Sequence, residues 1–248
     1  MRVSIITVCY NRSATIEKAI QSVLNQNYQE IEYIVIDAVS TDGTQVIIEK
    51  YTNQISQYIS EPDKGMYDAL NKGLALATGE IIGLMHSDDE YYDNQVISNV
   101  VSAFLSSRTL EGVYGNGIYI SNDEEEKIIR NRIGGEYSYE KLKIGWLPLH
   151  TTLFIKKDLI NKFGDYNTNY KIASDTEFIL RFLYEHKIKV KYLNLYFVKM
   201  KMGGLSTDKS RALQVLKEDY KIYSMYFKNP FLIVLRKKMN ALVQYYIK

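Results

Sequence analysis

The sequence predicts an α/β fold: a doubly wound, mostly parallel sheet with helices on both faces and a helical tail at the C-terminal end. Three observations carry this. Short β-branched runs alternate with segments of helical spacing through residues 1–105. The runs are apolar throughout, as in strands covered on both faces. Turn residues and acids follow their C-terminal ends, where open parallel sheets bind ligands.

The organising stretch is Thr78-Gly79-Glu80-Ile81-Ile82-Gly83-Leu84-Met85-His86-Ser87-Asp88-Asp89, a turn, a buried strand and two adjacent acids. Before it, Val3 to Tyr10 is a first strand, and Ile16, Ala19, Ile20, Val23 and Leu24 space a helix between Ala14 and Gln26. Ile31 to Ile36 is a second strand, ending at Asp37. The turn Ser40-Thr41-Asp42-Gly43-Thr44 leads into a helix across Val46, Ile47 and Ile48. A short strand around Tyr58-Ile59 precedes a helix from Tyr67 to Ala77. Past the acids, a helix is expected over Val96 to Leu105. A hairpin should join Gly112–Ile120 to a run from Lys127 across an acidic turn, followed by a strand from Thr151 to Ile155. Asp175 to His186 and Lys209 to Phe227 carry amphipathic helical patterns. No internal repeat or low-complexity linker interrupts the chain.

Composition narrows the function. At 248 residues and 46% hydrophobic content the chain can bury a substantial core. A net charge of +2 gives no nucleic-acid footprint. The single cysteine, Cys9, forms no internal disulfide and suits a reducing compartment, so a cytoplasmic location is expected. Neither a signal peptide nor an uninterrupted spanning segment is evident. No G-x-G-x-x-G follows the first strand, which argues against a nicotinamide dehydrogenase.

Two carboxylates at a strand tip repel each other unless a cation or donor-rich ligand sits between them, and oxygen ligands of this kind suit Mg²⁺ or Mn²⁺ with bound phosphates. The same residues also suit a capping loop. Tyr10 and Asn11 end the first strand beside the same crevice. Lys64 lies in the turn after Pro62-Asp63, where an ammonium can meet a base or diphosphate. In Ile172-Ala173-Ser174-Asp175-Thr176-Glu177, Ser174 and Glu177 have capping-box spacing and Asp175 suits the helix dipole.

Val3-Ser4-Ile5-Ile6-Thr7-Val8-Cys9-Tyr10-Asn11, Ile36-Asp37 with Ser40-Thr41-Asp42-Gly43-Thr44, and Gly79-Glu80 leading to Ser87-Asp88-Asp89 together resemble the family 2 glycosyltransferases. Glu61-Pro62-Asp63-Lys64-Gly65-Met66-Tyr67-Asp68-Ala69-Leu70-Asn71-Lys72-Gly73 resembles the bacterial polysaccharide, colanic-acid-type branch. The resemblance implies a GT-A fold (Rossmann-like), a nucleotide-diphosphate sugar donor, a divalent metal and inversion at the anomeric carbon. It divides residues 1–208 into a nucleotide-sugar half, 1–105, and an acceptor half, 106–208, with 209–248 a helical extension. It further implies that Asp37 meets a uracil imide, favouring a UDP-sugar, that Asp89 ligates the metal, and that Asp88 meets ribose or a metal-bound water. His86 stands where many members carry an acid.

On the acceptor side the resemblance makes Asp175 the base, with Arg181 following it, and places His150 of Leu147-Pro148-Leu149-His150-Thr151-Thr152 against the acceptor. Gly203-Gly204-Leu205-Ser206 is similar to a loop that closes over the donor. Processive members carry Gln-x-x-Arg-Trp, whereas Trp146 follows Lys143-Ile144-Gly145, so one sugar per encounter is expected. The implied acceptor is a saccharide, plain or linked to polyprenyl diphosphate. The basic, apolar segment 230–248 suits an anionic membrane surface, packing on the domain, or a dimer contact. Alternatives are a non-catalytic nucleotide-sugar-binding subunit, which His86 keeps open, and a sugar-1-phosphate nucleotidyltransferase, which would want a glycine-rich basic loop after the first strand.

Overall fold

The structure is a computed structural model and describes residues 1–121, 123, 125–201 and 209–243. The predicted donor loop Gly203-Gly204-Leu205-Ser206 and residues 244–248 lie outside the described residues.

Strands β1 (Val3–Cys9), β2 (Ile31–Asp37), β3 (Gln57–Ser60) and β4 (Ile81–Leu84) form the parallel half of a single sheet, in the order β3-β2-β1-β4. Helices α1 (Ile16–Leu24), α2 (Thr44–Glu49) and α3 (Met66–Leu76) make the crossovers. Alternate residues of β1 serve opposite cores. Val3, Ile5 and Cys9 pack with α1 and with α4 (Val96–Ser106), whereas Ile6 and Val8 pack with α3. Gly83 lets β4 approach its neighbours closely, since a Cβ there would lie 2.3 Å from the Phe154 ring.

Beyond β4 the pairing becomes mixed. Strand β5 is Asp89–Tyr91, β6 is Gly112–Ile120, β7 is Ile128–Arg132, β8 is Phe154–Lys156 and β9 is Val190–Lys201. The order continues β4-β8-β6-β9-β5, with β7 on β6 as the expected hairpin. Both β4–β8 and β5–β9 are antiparallel, while β6–β9 is parallel. The strand expected from Thr151 is instead a 3₁₀ turn, His150–Thr152, followed by β8. Short helices α5 (Tyr139–Leu142) and α6 (Lys157–Phe163) flank that segment, and α7 (Ser174–Leu180) runs on through a π turn, Arg181–Glu185.

The C-terminal helices α8 (Ala212–Tyr226) and α9 (Pro230–Val243) pack on the domain. Ile222, Tyr223, Ile233 and Val234 are buried in the α3–α7 core. The Lys237 ammonium donates to Asp219 (2.7 Å) and to Thr176 Oγ1 of α7 (2.9 Å). Glu218 accepts backbone N–H groups of Lys171, Ile172 and Ala173, holding the strand of chain that leads into α7.

Candidate active site

A hollow of about 1120 Å³ opens beyond the C-terminal ends of β1, β2 and β4. Strand β4, which leads to it, is anchored at its far end by the turn before it. There the buried Glu32 carboxylate accepts from Thr78 N–H (2.6 Å) and Thr78 Oγ1 (2.7 Å), while Ser4 Oγ accepts from Gly79 N–H (2.8 Å). These bonds fix where β4 emerges, and hence where His86, Ser87, Asp88 and Asp89 line the wall.

On the opposite rim, the loops after β1 and β2 are stitched together. Asn11 adopts a left-handed φ of 52°, which asparagine tolerates better than most residues. Its N–H donates to Ser40 Oγ (2.8 Å), and its Oδ1 accepts from Thr41 N–H (2.9 Å). Asp42 accepts from Ser13 and Thr44, building the turn, and those bonds hold its carboxyl well below the usual range. Tyr10 and Arg12 reach the hollow; Asn11 commits its N–H and Oδ1 to the stitch and is absent from the wall.

Asp37 departs from expectation. It is fully buried, and its carboxylate accepts from Ser40 N–H (3.0 Å), Ser40 Oγ (2.5 Å), Gln45 Nε2 (3.0 Å) and Ser60 Oγ (2.7 Å). No acceptor position is left for a nucleobase, and Ala38 and Val39 form the wall instead. Arg181 departs similarly. Its guanidinium donates to the carbonyls of Phe163, Gly164 and Asp165 and to both oxygens of Glu177, so it pins α7 to the α6 terminus rather than meeting an acceptor. The Ser174–Glu177 capping box does not form: Glu177 is committed to Arg181, and Ser174 Oγ is buried with no hydrogen-bond partner among the described residues. Lys64 is exposed beside the wall residues Asp63 and Gly65, with its backbone N–H on Asp68.

Asp175, in the first turn of α7, faces the hollow. Its Oδ2 lies 3.2 Å from His150 Nδ1, and the Tyr67 hydroxyl is 3.3 Å from its Oδ1. The one Tyr67 hydroxyl proton goes to the Ile172 carbonyl (2.6 Å), and the hydroxyl oxygen accepts from the Asp175 N–H (3.4 Å). His150 Nε2 in turn lies 2.9 Å from His86 Nε2, the rings meeting edge to face. Asp175 as acceptor assigns the Nδ1 proton to His150, so in the neutral pair His86 donates its Nε2 proton. Burial, reinforced by His150, pushes the His86 pKa down to about 4 against the pull of Asp88 and Asp175, which keeps the ring neutral at pH 7. A line Asp175–His150–His86 therefore runs from α7 to the turn bearing Asp88 and Asp89.

Asp88 and Asp89 share the wall, Asp89 nearly buried as the first residue of β5. Burial, and then the neighbouring Asp88, raise the Asp89 carboxyl well above its ordinary range, against a backbone hydrogen bond from Lys201. Two crowded carboxylates are a donor set that a hard divalent cation relieves, so the pair fits Mg²⁺ or Mn²⁺. Among the described residues no group of three or more His, Cys, Asp or Glu side chains converges on one point. The remaining ligands would come from phosphate and water.

The structure thus brings Tyr10, Asp88, Asp89, His150 and Asp175 to one hollow and leaves Asn11, Asp37, Lys64 and Arg181 off its wall. Tyr67, Arg12, Lys171, Lys201 and Arg211 also line it, and sequence reasoning had assigned none of them. Only Tyr67 carried a signal, lying inside the Glu61–Gly73 motif.

The profile described as "Glycosyl transferase family 2" matches residues 4–173. An uncharacterized glycosyltransferase of Mycobacterium tuberculosis is 31% identical over 183 residues, covering 72% of this chain and 68% of that protein. A PGL/p-HBAD biosynthesis glycosyltransferase of Mycobacterium bovis is 26% identical over 207 residues, 82% of this chain and 78% of that protein. Staphylococcus aureus TarS superposes with a TM-score of 0.70 at 19% identity over 90% of this chain. This chain spans 39% of that TarS chain, and 64% of the TarS 1–349 form solved with UDP-GlcNAc. The mannosyltransferase PcManGT of Pyrobaculum calidifontis, solved with GDP-Man and Mn²⁺, gives 0.65 at 17% identity over 96% of this chain and 68% of that one. These superpositions show the GT-A fold, and the matched profile and relatives show that this chain is a glycosyltransferase belonging to glycosyl transferase family 2.

Proposed function

We propose that the enzyme moves one sugar from a nucleotide-diphosphate donor to a hydroxyl of a saccharide acceptor, with inversion at the anomeric carbon. The observation that carries this reading is the placement of Asp175 in the same hollow as the Asp88–Asp89 pair, on a separate element. Asp175 accepts the proton of the acceptor hydroxyl while that oxygen bonds to the anomeric carbon. The bond from that carbon to the diphosphate breaks, and the nucleotide diphosphate leaves on the opposite side. Asp89, with Asp88 beside it, would hold Mg²⁺ or Mn²⁺, and such a bound cation would neutralise charge on that leaving group. Arg12, Lys171, Lys201 and Arg211 add positive charge to the wall. His86, in place of an acid, is hydrogen-bonded towards the base side, which supports catalysis over a non-catalytic binding role.

The donor is proposed as a UDP-sugar. Asp37 no longer supports this choice; the TarS neighbour's UDP-GlcNAc does. The acceptor is proposed as a saccharide on a polyprenyl diphosphate in surface polysaccharide synthesis, reached at the cytoplasmic face of the membrane. Among the described residues no helix is long and apolar enough to cross a membrane.

Calorimetry with UDP-sugars and Mn²⁺, paired with an assay of nucleotide release on acceptor, tests the assignment. Asp89→Ala should lose Mn²⁺-dependent donor binding. Asp175→Asn should keep it and lose roughly 10²- to 10⁴-fold in kcat. Undiminished transfer by Asp175→Asn removes the mechanism.

A further inference from the structure

We propose that the outward face of α9 is a docking surface for an anionic lipid bilayer, with Phe231, Leu232, Leu235 and Met239 inserted and Arg236 and Lys238 at its edges. The helix has two unlike sides. Ile233, Val234 and Lys237 turn inward and are held by the core and by Asp219. Phe231 (68% exposed), Leu232 (50%), Leu235 (47%) and Met239 (55%) turn outward. At 100° per residue these four fall within one arc of about 100° on the helix, Lys238 beside one edge and Arg236 beside the other. An apolar stripe bordered by cations is the pattern of a helix lying in a headgroup layer.

Charge selects the occupant. From Tyr220 to Lys248 the sequence contains six Lys or Arg residues and no Asp or Glu. The first 219 residues hold all 29 acids but only 25 of the 31 bases, so the net charge changes sign along the chain. A second copy docking symmetrically through this stripe would bring cation against cation. Anionic lipid complements both features, and each exposed base near such a surface strengthens binding roughly fivefold. Over the described residues the helix runs for 14 residues, enough to lie on a bilayer. This inference does not rest on the transfer chemistry.

The test is sedimentation of the whole chain with vesicles of equal parts phosphatidylcholine and phosphatidylglycerol, against pure phosphatidylcholine. The wild type should pellet with the anionic vesicles and stay largely free of the neutral ones. Arg236→Gln with Lys238→Gln should weaken anionic binding roughly 25-fold. Phe231→Ser with Leu235→Ser should weaken it more than tenfold, and donor binding in the hollow should be unchanged in both variants. The proposal is overturned if the wild type stays in solution with anionic vesicles, or if the serine variant binds them as well as the wild type. Self-association that the serine variant abolishes, without vesicle binding, overturns it in favour of a second copy.

Discussion

Replacing His150 separates the orientation of the proposed base, Asp175, from its presence. Asp175 is held by His150 Nδ1 on Oδ2 (3.2 Å), and its backbone N–H donates to the Tyr67 hydroxyl (3.4 Å). His150→Asn retains an N–H near the Nδ1 position but is too short to reach His86; His150→Leu retains neither contact. A hydrogen bond to a charged group is worth about 1.5–3 kcal/mol, so the leucine variant should lose roughly 10- to 100-fold in kcat. The asparagine variant should stay within about fivefold of wild type, with the donor KM nearly constant in both. Both leave the His86 ring without its partner and should lose about 1–3 kcal/mol of stability alike. Nucleotide release on acceptor and urea denaturation, measured on the same preparations, separate the two effects. Equal kcat losses in both variants, tracking their stability, would refute a positioning role for His150.

Arg181→Met should destabilise the protein by about 3–5 kcal/mol, because Glu177 is left buried and unpaired, while acceptor KM is unchanged in the folded fraction. A raised acceptor KM at full stability would restore the expected acceptor contact. Asp37→Asn should cost about 1–3 kcal/mol and leave the preference between UDP and GDP intact, since its oxygens serve Ser40, Gln45 and Ser60. Calorimetry with both nucleotides checks this, and a selective loss of UDP affinity contradicts it. Glu32 and Glu218 give a pH prediction. Burial raises each carboxyl, but hydrogen bonds from Ser4 and Thr78 on Glu32, and from the Ile172 and Ala173 backbone and Gln214 on Glu218, outweigh it and leave both below the ordinary 4.5. Their contribution is therefore complete above pH 4.5 and lost as pH falls through the lowered native values. Glu32→Gln with Glu218→Gln should be less stable at pH 7 and show a flatter acid limb in urea midpoints.

The half of the site built from consecutive residues was readable in advance. Asp88 and Asp89 come four and five residues after β4 ends at Leu84, so the strand and the short turn after it deliver them to the sheet's binding edge. Asp175 sits in the first turn of a helix whose pattern is plain. Strand β9 was not foreseen. Its 12 residues mix burial classes because they pair with both β6 and β5, so no single alternation shows. Asp37 and Arg181 misled for one reason: a charged residue at an element end reads alike whether it faces a ligand or its own fold. Only the positions of Ser60, 23 residues on from Asp37, and of the Phe163 carbonyl, 18 residues before Arg181, decide which.

The sequence by itself determined the alternating α/β framework, the order of its parallel strands' segments and the acids at the strand tip, because burial periodicity and turn chemistry act over a few neighbouring residues. Tertiary structure alone decided which charges remain available. The His86–His150 contact spans 64 residues and Tyr67–Asp175 spans 108, and α9 shows one face to the core and another to solvent only once α7 and α8 are in place. Hydrogen-bond capacity is spent locally or kept for a ligand according to what the fold brings within 3 Å, and that distance is set by packing across the whole sheet.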